Sequence, residues 1–223
     1  MLIAPAGPGT DVQPLLDRGV PVVAFDRLPT SGDLDSVVTA SRLAAREATE
    51  HLLEQGWQRV ACVSGPRGAA TATERTLGYT DAVVGRDRSP LVAHTDYKPE
   101  GGRLAAAEML DGSAPPDAFF VANSSMALGV LAELAGRGLV PGRDVGIIGF
   151  DDPPWARLLT PPLSAVAQPA HELGRTAARL LHERSTGERD GPARHEVLAC
   201  SMVVRASSLR VAEPAGPVPV AHA

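Results

Sequence analysis

Residues 145–152 read Val-Gly-Ile-Ile-Gly-Phe-Asp-Asp, an apolar run that ends in two acids. Runs of this kind, in which apolar and polar residues do not alternate, are typical of parallel strands that are covered on both faces. Similar runs occupy residues 22–26, 59–64 and 118–122, and a late one covers residues 196–204. Because these runs alternate with segments of helical periodicity, the sequence predicts βαβ units, an α/β fold and a largely parallel sheet.

Three segments with helical periodicity have recognisable ends. Ser41 is a candidate N-cap for a helix that stops at Gly56, and Asn123 or Ser124 is a candidate N-cap for a second helix. A third helix is expected from about residue 170 to residue 185. The apolar stripes on these helices are those of ordinary core packing.

The composition limits the kinds of partner that the chain can bind. It has 223 residues, a net charge of −5 and no cluster of Lys or Arg. A surface that grips nucleic acid needs such a cluster, so these residues are not expected to bind DNA themselves. No run reaches the roughly 18 apolar residues of a membrane span, and the first residues lack the pattern of a secretory signal. We therefore expect a cytoplasmic protein without membrane contact.

The motifs of the common enzyme classes are missing. There is no Gly-x-Ser-x-Gly, no phosphate-binding loop, no dinucleotide-binding glycine pattern and no His-Glu-x-x-His. Asp151 and Asp152 are adjacent acids without further ligands at suitable spacing, which is weak support for a metal site. Cys62 and Cys200 lie in apolar runs and are expected to be small buried side chains. The sequence predicts no enzyme, no cofactor and no metal.

Polar side chains follow the strand-like runs at the points where those runs end. Asp26 and Arg27 follow the first run, Asn123 follows the third, and Asp151 and Asp152 follow the fourth. In open α/β sheets, ligands bind outside the carboxyl ends of the strands. These side chains are therefore expected around one crevice, where they would suit the hydroxyl groups of a sugar or a nucleoside.

Each candidate also has an alternative interpretation. Asp and Asn residues after strands often do no more than cap the next helix. Arg75, which lies in a helix with Leu77 and Val84 on its expected apolar face, could pair with Glu74 or with solvent instead of a ligand. Tyr97 could stack on a sugar ring or be half-buried packing. The residues alone leave these alternatives open.

Several short segments stand out in order along the chain. They are Pro21–Arg27 (PVVAFDR), Ala48–Gly56 (ATEHLLEQG), Val63–Pro66 (VSGP), Glu74–Tyr79 (ERTLGY), Val121–Gly129 (VANSSMALG), Gly149–Asp152 (GFDD), Thr160–Ser164 (TPPLS) and Gln168–Pro169 (QP). Together they resemble the successive signatures of the lactose- and galactose-repressor (LacI/GalR) family of bacterial transcriptional regulators. The resemblance runs from about residue 2 to residue 205. One departure is Ser124, which stands where the family usually has Asp; it keeps a helix cap but removes a carboxylate.

The resemblance implies a two-lobed fold like that of periplasmic binding proteins, with parallel sheets and an effector bound between the lobes. It assigns residues 1–38 and 168–199 to a partial N-terminal lobe, and residues 39–167 and 200–206 to a C-terminal lobe. Residues 207–223 are expected to be a disordered tail, since the sequence there becomes rich in Pro and Ala.

The resemblance also implies a ligand site. Asp26 and Gln168 would face the ligand from the first lobe or its hinge. The second lobe would contribute the side chains of Arg75, Tyr97, Asn123 and Asp151.

The implied function is the sensing part of a transcriptional regulator that binds a small sugar-like effector, forms a homodimer and contacts DNA only through an N-terminal head. Family members place that head and two βα units before the strand at which this chain opens. We therefore expect an incomplete first lobe, from a fragment or a misassigned Met1, and poor stability of the chain alone. The alternatives are a stand-alone solute-binding protein of a transport system and an enzyme on an α/β sheet.

Overall fold

The computed structural model describes residues 2–3, 11–29 and 33–211, the first two through their backbone only. The described elements, in chain order, are β1 (Leu2–Ile3), α1 (Gln13–Leu16), β2 (Val23–Phe25), β3 (Asp35–Thr39), α2 (Ser41–Glu54), β4 (Val60–Ser64), α3 (Ala70–Val84), β5 (Val92–His94), α4 (Pro99–Leu110), β6 (Ala118–Val121), α5 (Ser124–Gly136), β7 (Gly146–Phe150), a 3₁₀ turn (Pro154–Leu158), β8 (Ser164–Ala167), α6 (Ala170–Ser185), β9 (His195–Leu198) and β10 (Ser201–Val203).

The strands form two separate sheets. The smaller sheet has the order β1-β2-β3-β9 with all neighbours parallel. The larger has the order β10-β8-β7-β6-β4-β5, and its neighbours are parallel except for β10, which is antiparallel to β8. The predicted α/β fold with largely parallel sheets is confirmed. The strands of the smaller sheet lie in or beside the residues expected for the first lobe, whereas the exact lobe boundaries stay a prediction.

The larger sheet has the larger core. Helices α2 and α3 pack against each other, as do α4 and α5, and both pairs pack on this sheet. Every residue of β4, β6 and β7 is buried as a result. Apolar strands without alternation are stable only under such two-sided cover. The smaller sheet is covered by α6, whose Leu173, Ala177 and Leu180 pack against Val23 and Val37.

A buried ion pair attaches α6 to the smaller sheet. The carboxylate of Asp35, which is 2% exposed, accepts hydrogen bonds from the Arg184 guanidinium at 2.8 and 2.9 Å and from the Arg194 backbone at 2.7 Å. Burial alone would raise the pKa of Asp35, but these hydrogen bonds outweigh it and hold the pKa below its ordinary value. The chain that returns from α6 to β9 is thereby fixed to β3.

Two expectations about local structure are wrong. The apolar run at residues 196–204 is not one strand, because Ala199 and Cys200 leave the smaller sheet after β9 and the chain enters the larger sheet as β10. Ser41 is the first residue of α2 and not its N-cap; its hydroxyl bonds to that of Thr39 at 3.2 Å. The expected helix end at Gly56 is confirmed, with Gly56 at φ +92° just beyond α2.

The chain also stays packed beyond the expected start of the tail at residue 207. Ser207 and Ser208 are fully buried. The Ser207 hydroxyl donates to the Ile147 carbonyl and accepts from the Ser164 amide, both at 2.8 Å. The Ser207 hydroxyl thus satisfies one backbone group of β7 and one of β8. A count of apolar residues does not reveal such a role. Residues 212–223 of the expected tail lie outside the described residues.

The contact between α4 and α5 depends on a residue without a side chain. A Cβ atom at Gly129 would lie 1.8 Å from the Pro99 carbonyl oxygen and 2.7 Å from the Arg103 nitrogen, both of α4. Gly136, in the same helix, has nothing within 4 Å of its Cβ position. The two glycines therefore differ in what surrounds their Cβ positions: backbone of α4 at Gly129 and open space at Gly136.

We expect Gly129→Ala to lower the free energy of unfolding by about 1–3 kcal/mol, because α4 must move away from α5. Gly136→Ala is the matched control, and should leave stability unchanged or raise it by up to about 1 kcal/mol through the better helix propensity of Ala. Urea unfolding of both variants measures the difference. Equal stabilities would contradict this packing of α4 on α5.

Candidate functional site

One cavity between the two sheets is lined by all six residues that were predicted to bind the ligand. It has a volume of about 330 Å³ and is lined by Asp26, Arg27, Thr71, Arg75, Tyr97, Asn123, Asp151 and Gln168. Asp26 directly follows β2 of the smaller sheet, while Asn123 and Asp151 follow β6 and β7 of the larger one. The cavity thus lies at the carboxyl ends of strands from both sheets, where the strand pattern placed it.

Arg75 is the most deeply buried polar group of this cavity. Its residue is 4% exposed, its Nη1 donates to the Ala122 carbonyl at 2.8 Å, and its guanidinium carbon lies 3.6 Å from the centre of the Phe150 ring. Its Nε has no hydrogen-bond partner among the described residues. Burial lowers the pKa of Arg75, and the nearby Asp151 opposes that shift.

The sequence-based description of the helix around Arg75 is wrong in one respect. Leu77 and Val84, its expected apolar face, are 37% and 53% exposed. The buried face of α3 instead carries Arg75 together with small residues and Tyr79. Pairing with the exposed Glu74 or with solvent is therefore not what Arg75 does.

Three residues of the cavity have a backbone conformation that L-residues rarely adopt. The φ angles are +65° at Asp26, +64° at Tyr97 and +73° at Asp151. Neighbouring strands hold the two acids in place, since the Asp26 amide donates to Val37 at 3.0 Å and the Asp151 amide donates to Val166 at 2.8 Å. Non-glycine residues in this region cost about 1–3 kcal/mol each and cluster at functional sites.

Of the three candidates for helix capping, Asp26, Asn123 and Asp151, only Asn123 caps a described helix. Asn123 Oδ1 accepts from the amides of Ser125 and Met126 at 2.8 and 3.2 Å, so Asn123 caps α5 while it lines the cavity. Neither Asp26 nor Asp151 occupies the N-cap of a described helix. The carboxylates of these two acids are thus free of a capping role.

The adjacent acids Asp151 and Asp152 do not act as a pair. Asp152 forms a two-pronged ion pair with Arg205 at 2.7 and 2.8 Å, and Arg205 also donates to the Leu163 carbonyl at 2.6 Å. Hydrogen bonds from Arg205 lower the pKa of Asp152. Asp152 therefore fastens the end of β10 to the larger sheet, and Asp151 alone faces the cavity.

Tyr97 is positioned by a close contact and a hydrogen bond. A Cβ atom at Gly65 would lie 2.1 Å from the Tyr97 ring, so only glycine permits this ring position. The Tyr97 hydroxyl lies 3.1 Å from the Thr71 hydroxyl. The ring packs partly on the core, as the packing interpretation expects, and it also lines the cavity, so stacking on a sugar ring stays a prediction.

Gln168 connects the two lobes. Its Nε2 donates to Asp151 Oδ1 at 2.5 Å, and its Oε1 accepts from Thr39 Oγ1 at 3.0 Å. Thr39 ends β3 of the smaller sheet, and Asp151 follows β7 of the larger one. The chain passes between the sheets at residues 39–41, 168–170 and 199–200, so Gln168 lies in one crossing and bonds to a second.

Two further residues line the cavity: Arg27, which was expected at the crevice but not among the six ligand-binding residues, and Thr71, which was not predicted. Arg27 pairs loosely with Asp26 at 3.4 Å, and its position directly after that acid was a usable signal. Thr71 is in the first turn of α3, and no sequence motif marks it. Its place in the cavity follows from how α3 packs beside β4.

Other kinds of site find little support in the described part of the chain. No group of three or more His, Cys, Asp or Glu residues there could hold a metal ion. Cys62 is buried and Cys200 partly buried, both as free thiols. No helix within the described ranges has the length and apolarity needed to cross a membrane.

Solved structures of known function share this fold. The complex of the transcriptional regulator CelR with cellobiose superposes with a TM-score of 0.85 at 33% identity, covering 92% of this chain and 64% of that one. A LacI family transcriptional regulator from Enterococcus faecium with bound ribose gives a TM-score of 0.84 at 27% identity, covering 95% and 79%.

Sequence comparison gives the same relationship. Residues 49–208 match the family described as periplasmic binding protein-like domain. Over 200 residues the chain is 35% identical to the HTH-type transcriptional regulator CelR of Thermobifida fusca. The aligned part covers 87% of this chain and 58% of that protein. The chain belongs to the LacI family.

Membership of the LacI family favours one of the alternatives left by the sequence. These relatives are transcriptional regulators, which favours a regulator over a transport protein or an enzyme. The LacI-type, periplasmic-binding-protein-like fold expected from the sequence is confirmed. The chain spans less than two thirds of the length of T. fusca CelR.

The contact between Gln168 and Asp151 makes the stability of suitable variants depend on pH. Gln168→Glu places a second carboxylate against Asp151, and two such neighbours cannot both ionise without repulsion. The folded variant then binds a proton more tightly than its unfolded chain, so its stability deficit is largest near pH 7 and shrinks toward about pH 5.

Gln168→Leu is the uncharged control. It removes the same hydrogen bonds and should cost about 1–3 kcal/mol at either pH. Urea unfolding of both variants and the natural sequence at the two pH values measures these deficits. A Gln168→Glu deficit that does not change with pH would mean that the amide does not face Asp151.

Proposed function

We propose that this LacI-family chain senses a small, neutral, polyhydroxylated ligand, a sugar or a nucleoside, which binds in the cavity between the two lobes. The observation that carries the proposal is the buried Arg75, which lines the cavity and whose guanidinium donates only to the Ala122 carbonyl among the described residues. A buried donor without a partner is costly, and a ligand hydroxyl would supply the missing acceptor.

The balance of charge in the cavity favours a neutral ligand. Two arginines, Arg27 and Arg75, face two acids, Asp26 and Asp151, so the formal charges cancel. An anionic ligand such as a sugar phosphate would need an excess of positive charge. The cavity lining contains both donors and acceptors, including the amides of Asn123 and Gln168. Such a mixture instead matches a set of hydroxyl groups.

The ligands of the relatives agree with this chemistry. CelR was solved with cellobiose and the E. faecium regulator with ribose, both neutral polyhydroxylated molecules. The volume of about 330 Å³ lies at the lower end of the roughly 300–1,000 Å³ that ligand pockets occupy.

The regulatory step of the proposal is a shift between two arrangements of the lobes. Ligand that bridges Asp26 of one lobe and Asp151 of the other binds better to one arrangement and raises its population. Complete switching needs a differential affinity of about 10⁴, or roughly 5.5 kcal/mol. In the parent regulator this shift would act in the cytoplasm through a homodimer, with DNA held by a separate head.

The proposal predicts that Arg75 and Arg205 act on different properties. Arg75→Met should leave stability without ligand within about 2 kcal/mol of the natural chain, because Arg75 forms no direct ion pair with a described residue and an apolar side chain replaces a buried charge. Its affinity for cellobiose or ribose should fall by at least about tenfold, since a hydrogen bond to a charged group contributes about 1.5–3 kcal/mol.

Arg205→Met is the control, because it removes the ion pair to Asp152 outside the cavity. It should lower stability by about 1–3 kcal/mol and leave ligand affinity unchanged. Urea unfolding and titration calorimetry of both variants make the comparison. Unchanged affinity in Arg75→Met would remove Arg75 from the site, and the absence of binding to any neutral sugar or nucleoside would refute the proposed function.

A further inference from the structure

A second and larger cavity lies beside the proposed ligand site. Its volume is about 730 Å³, more than twice that of the inner cavity at about 330 Å³. It runs along the N-terminal parts of α2 and α3 and under the ends of β3 and β9. We call it the outer groove.

The outer groove and the inner cavity are neighbours. Asp26 and Thr71 line both of them. A ligand held by Arg75 and Asp151 in the inner cavity would need to extend only past these two side chains to enter the groove. Two cavities that share lining residues in this way can hold two parts of one ligand.

The chemistry of the groove differs from that of the inner cavity. Leu28, Leu43 and Val197 line it, and they are 48%, 54% and 60% exposed. They come from three places in the fold: the loop after β2, helix α2 and strand β9. Large apolar side chains from both lobes that converge on one concave surface are typical of a binding site.

The arginines of the groove are already paired with protein groups. Arg42 donates to Asp81 at 2.7 and 3.0 Å, and Arg46 donates to Glu50 at 2.8 Å. The exposed Glu74 is the lining charge without an ion pair among the described residues. The groove therefore offers no free cation to an anionic ligand and offers apolar contact to a neutral one.

We propose that the outer groove is a second subsite, and that the ligand is a two-part glycoside. One sugar ring occupies the inner cavity, and a less polar second unit, either a second ring or an aglycone, lies across Leu28, Leu43 and Val197. This inference rests on the proposed function, since it names the ligand class of the same site. A monosaccharide would leave the apolar side chains of the groove exposed.

The test compares ligands that share one ring. Titration calorimetry with glucose, cellobiose and phenyl β-D-glucoside measures what the second unit adds. Cellobiose or the phenyl glucoside should bind at least about tenfold more tightly than glucose, a factor that corresponds to about 1.4 kcal/mol. The better of the two identifies the second unit as a ring or an aglycone.

Leu43→Glu is the informative variant, because it places a charge on the apolar surface of the groove. It should cancel the advantage of the two-part ligand and leave the affinity for glucose unchanged. Leu104→Glu is the matched control: Leu104 is also 54% exposed and also on a helix, α4, but it lines neither cavity. The control should change no affinity, and Val197→Thr should weaken the two-part ligand in a milder way.

Failure of the second subsite and failure of the proposed function give different binding results. If glucose and the two-part ligands bind equally, or Leu43→Glu weakens both alike, the second subsite is wrong and the proposed function stands. If glucose, cellobiose, ribose and nucleosides all fail to bind, the proposed function is wrong and the subsite with it.

Discussion

The site depends on the buried guanidinium of Arg75 and on its contacts with the Phe150 ring and the Ala122 carbonyl. A charge removed from water carries a penalty of several kcal/mol unless other groups compensate for it. Here the Phe150 ring lies 3.6 Å from the guanidinium carbon, and the Ala122 carbonyl accepts one hydrogen bond. Both partners belong to the ends of adjacent strands, so the arginine is held rigidly where β6 and β7 finish. The guanidinium has no second acceptor among the described residues, and in the proposed function a ligand hydroxyl would supply one.

The acids beside Arg75 are held in a strained conformation by the two sheets. Asp26 and Asp151 keep positive φ angles because hydrogen bonds to Val37 and Val166 fix their amides. Gln168 joins Asp151 to Thr39 and so joins the two lobes at the same place. In the proposed function, a ligand that competes for Asp151 would disturb this connection. Binding and lobe arrangement would then be coupled through one hydrogen-bonded group.

Much of this could be predicted from the sequence, and the limits have physical causes. Fully buried strands such as β4 and β7 read as apolar runs, and Asn123 and Gly56 mark helix ends by local chemistry. Strands β3, β5 and β8 were missed because they are short and partly polar: β3 and β8 contain hydroxyl or acidic residues, and β5 is only Val-Ala-His. Their pairing depends on distant partners, which a local pattern does not contain.

The candidate site shows the same division. The six predicted residues meet in one cavity because parallel strands bring their carboxyl ends together. The resemblance named only Asp151 of the two adjacent acids, but local sequence could not explain the difference, since the partner of Asp152 is Arg205, more than 50 residues away along the chain. The buried state of Arg75 was equally hidden, because helical periodicity ranks an arginine as exposed.

The central claim is that Arg75 and Asp151 bind the hydroxyl groups of a neutral glycoside between the lobes. A crystal structure of the protein grown with cellobiose tests this most directly. We expect density for the sugar between the two sheets, with a sugar oxygen about 3 Å from a guanidinium nitrogen of Arg75 and a hydroxyl donating to Asp151. A sugar bound elsewhere, or one in the cleft that contacts neither side chain, would contradict it.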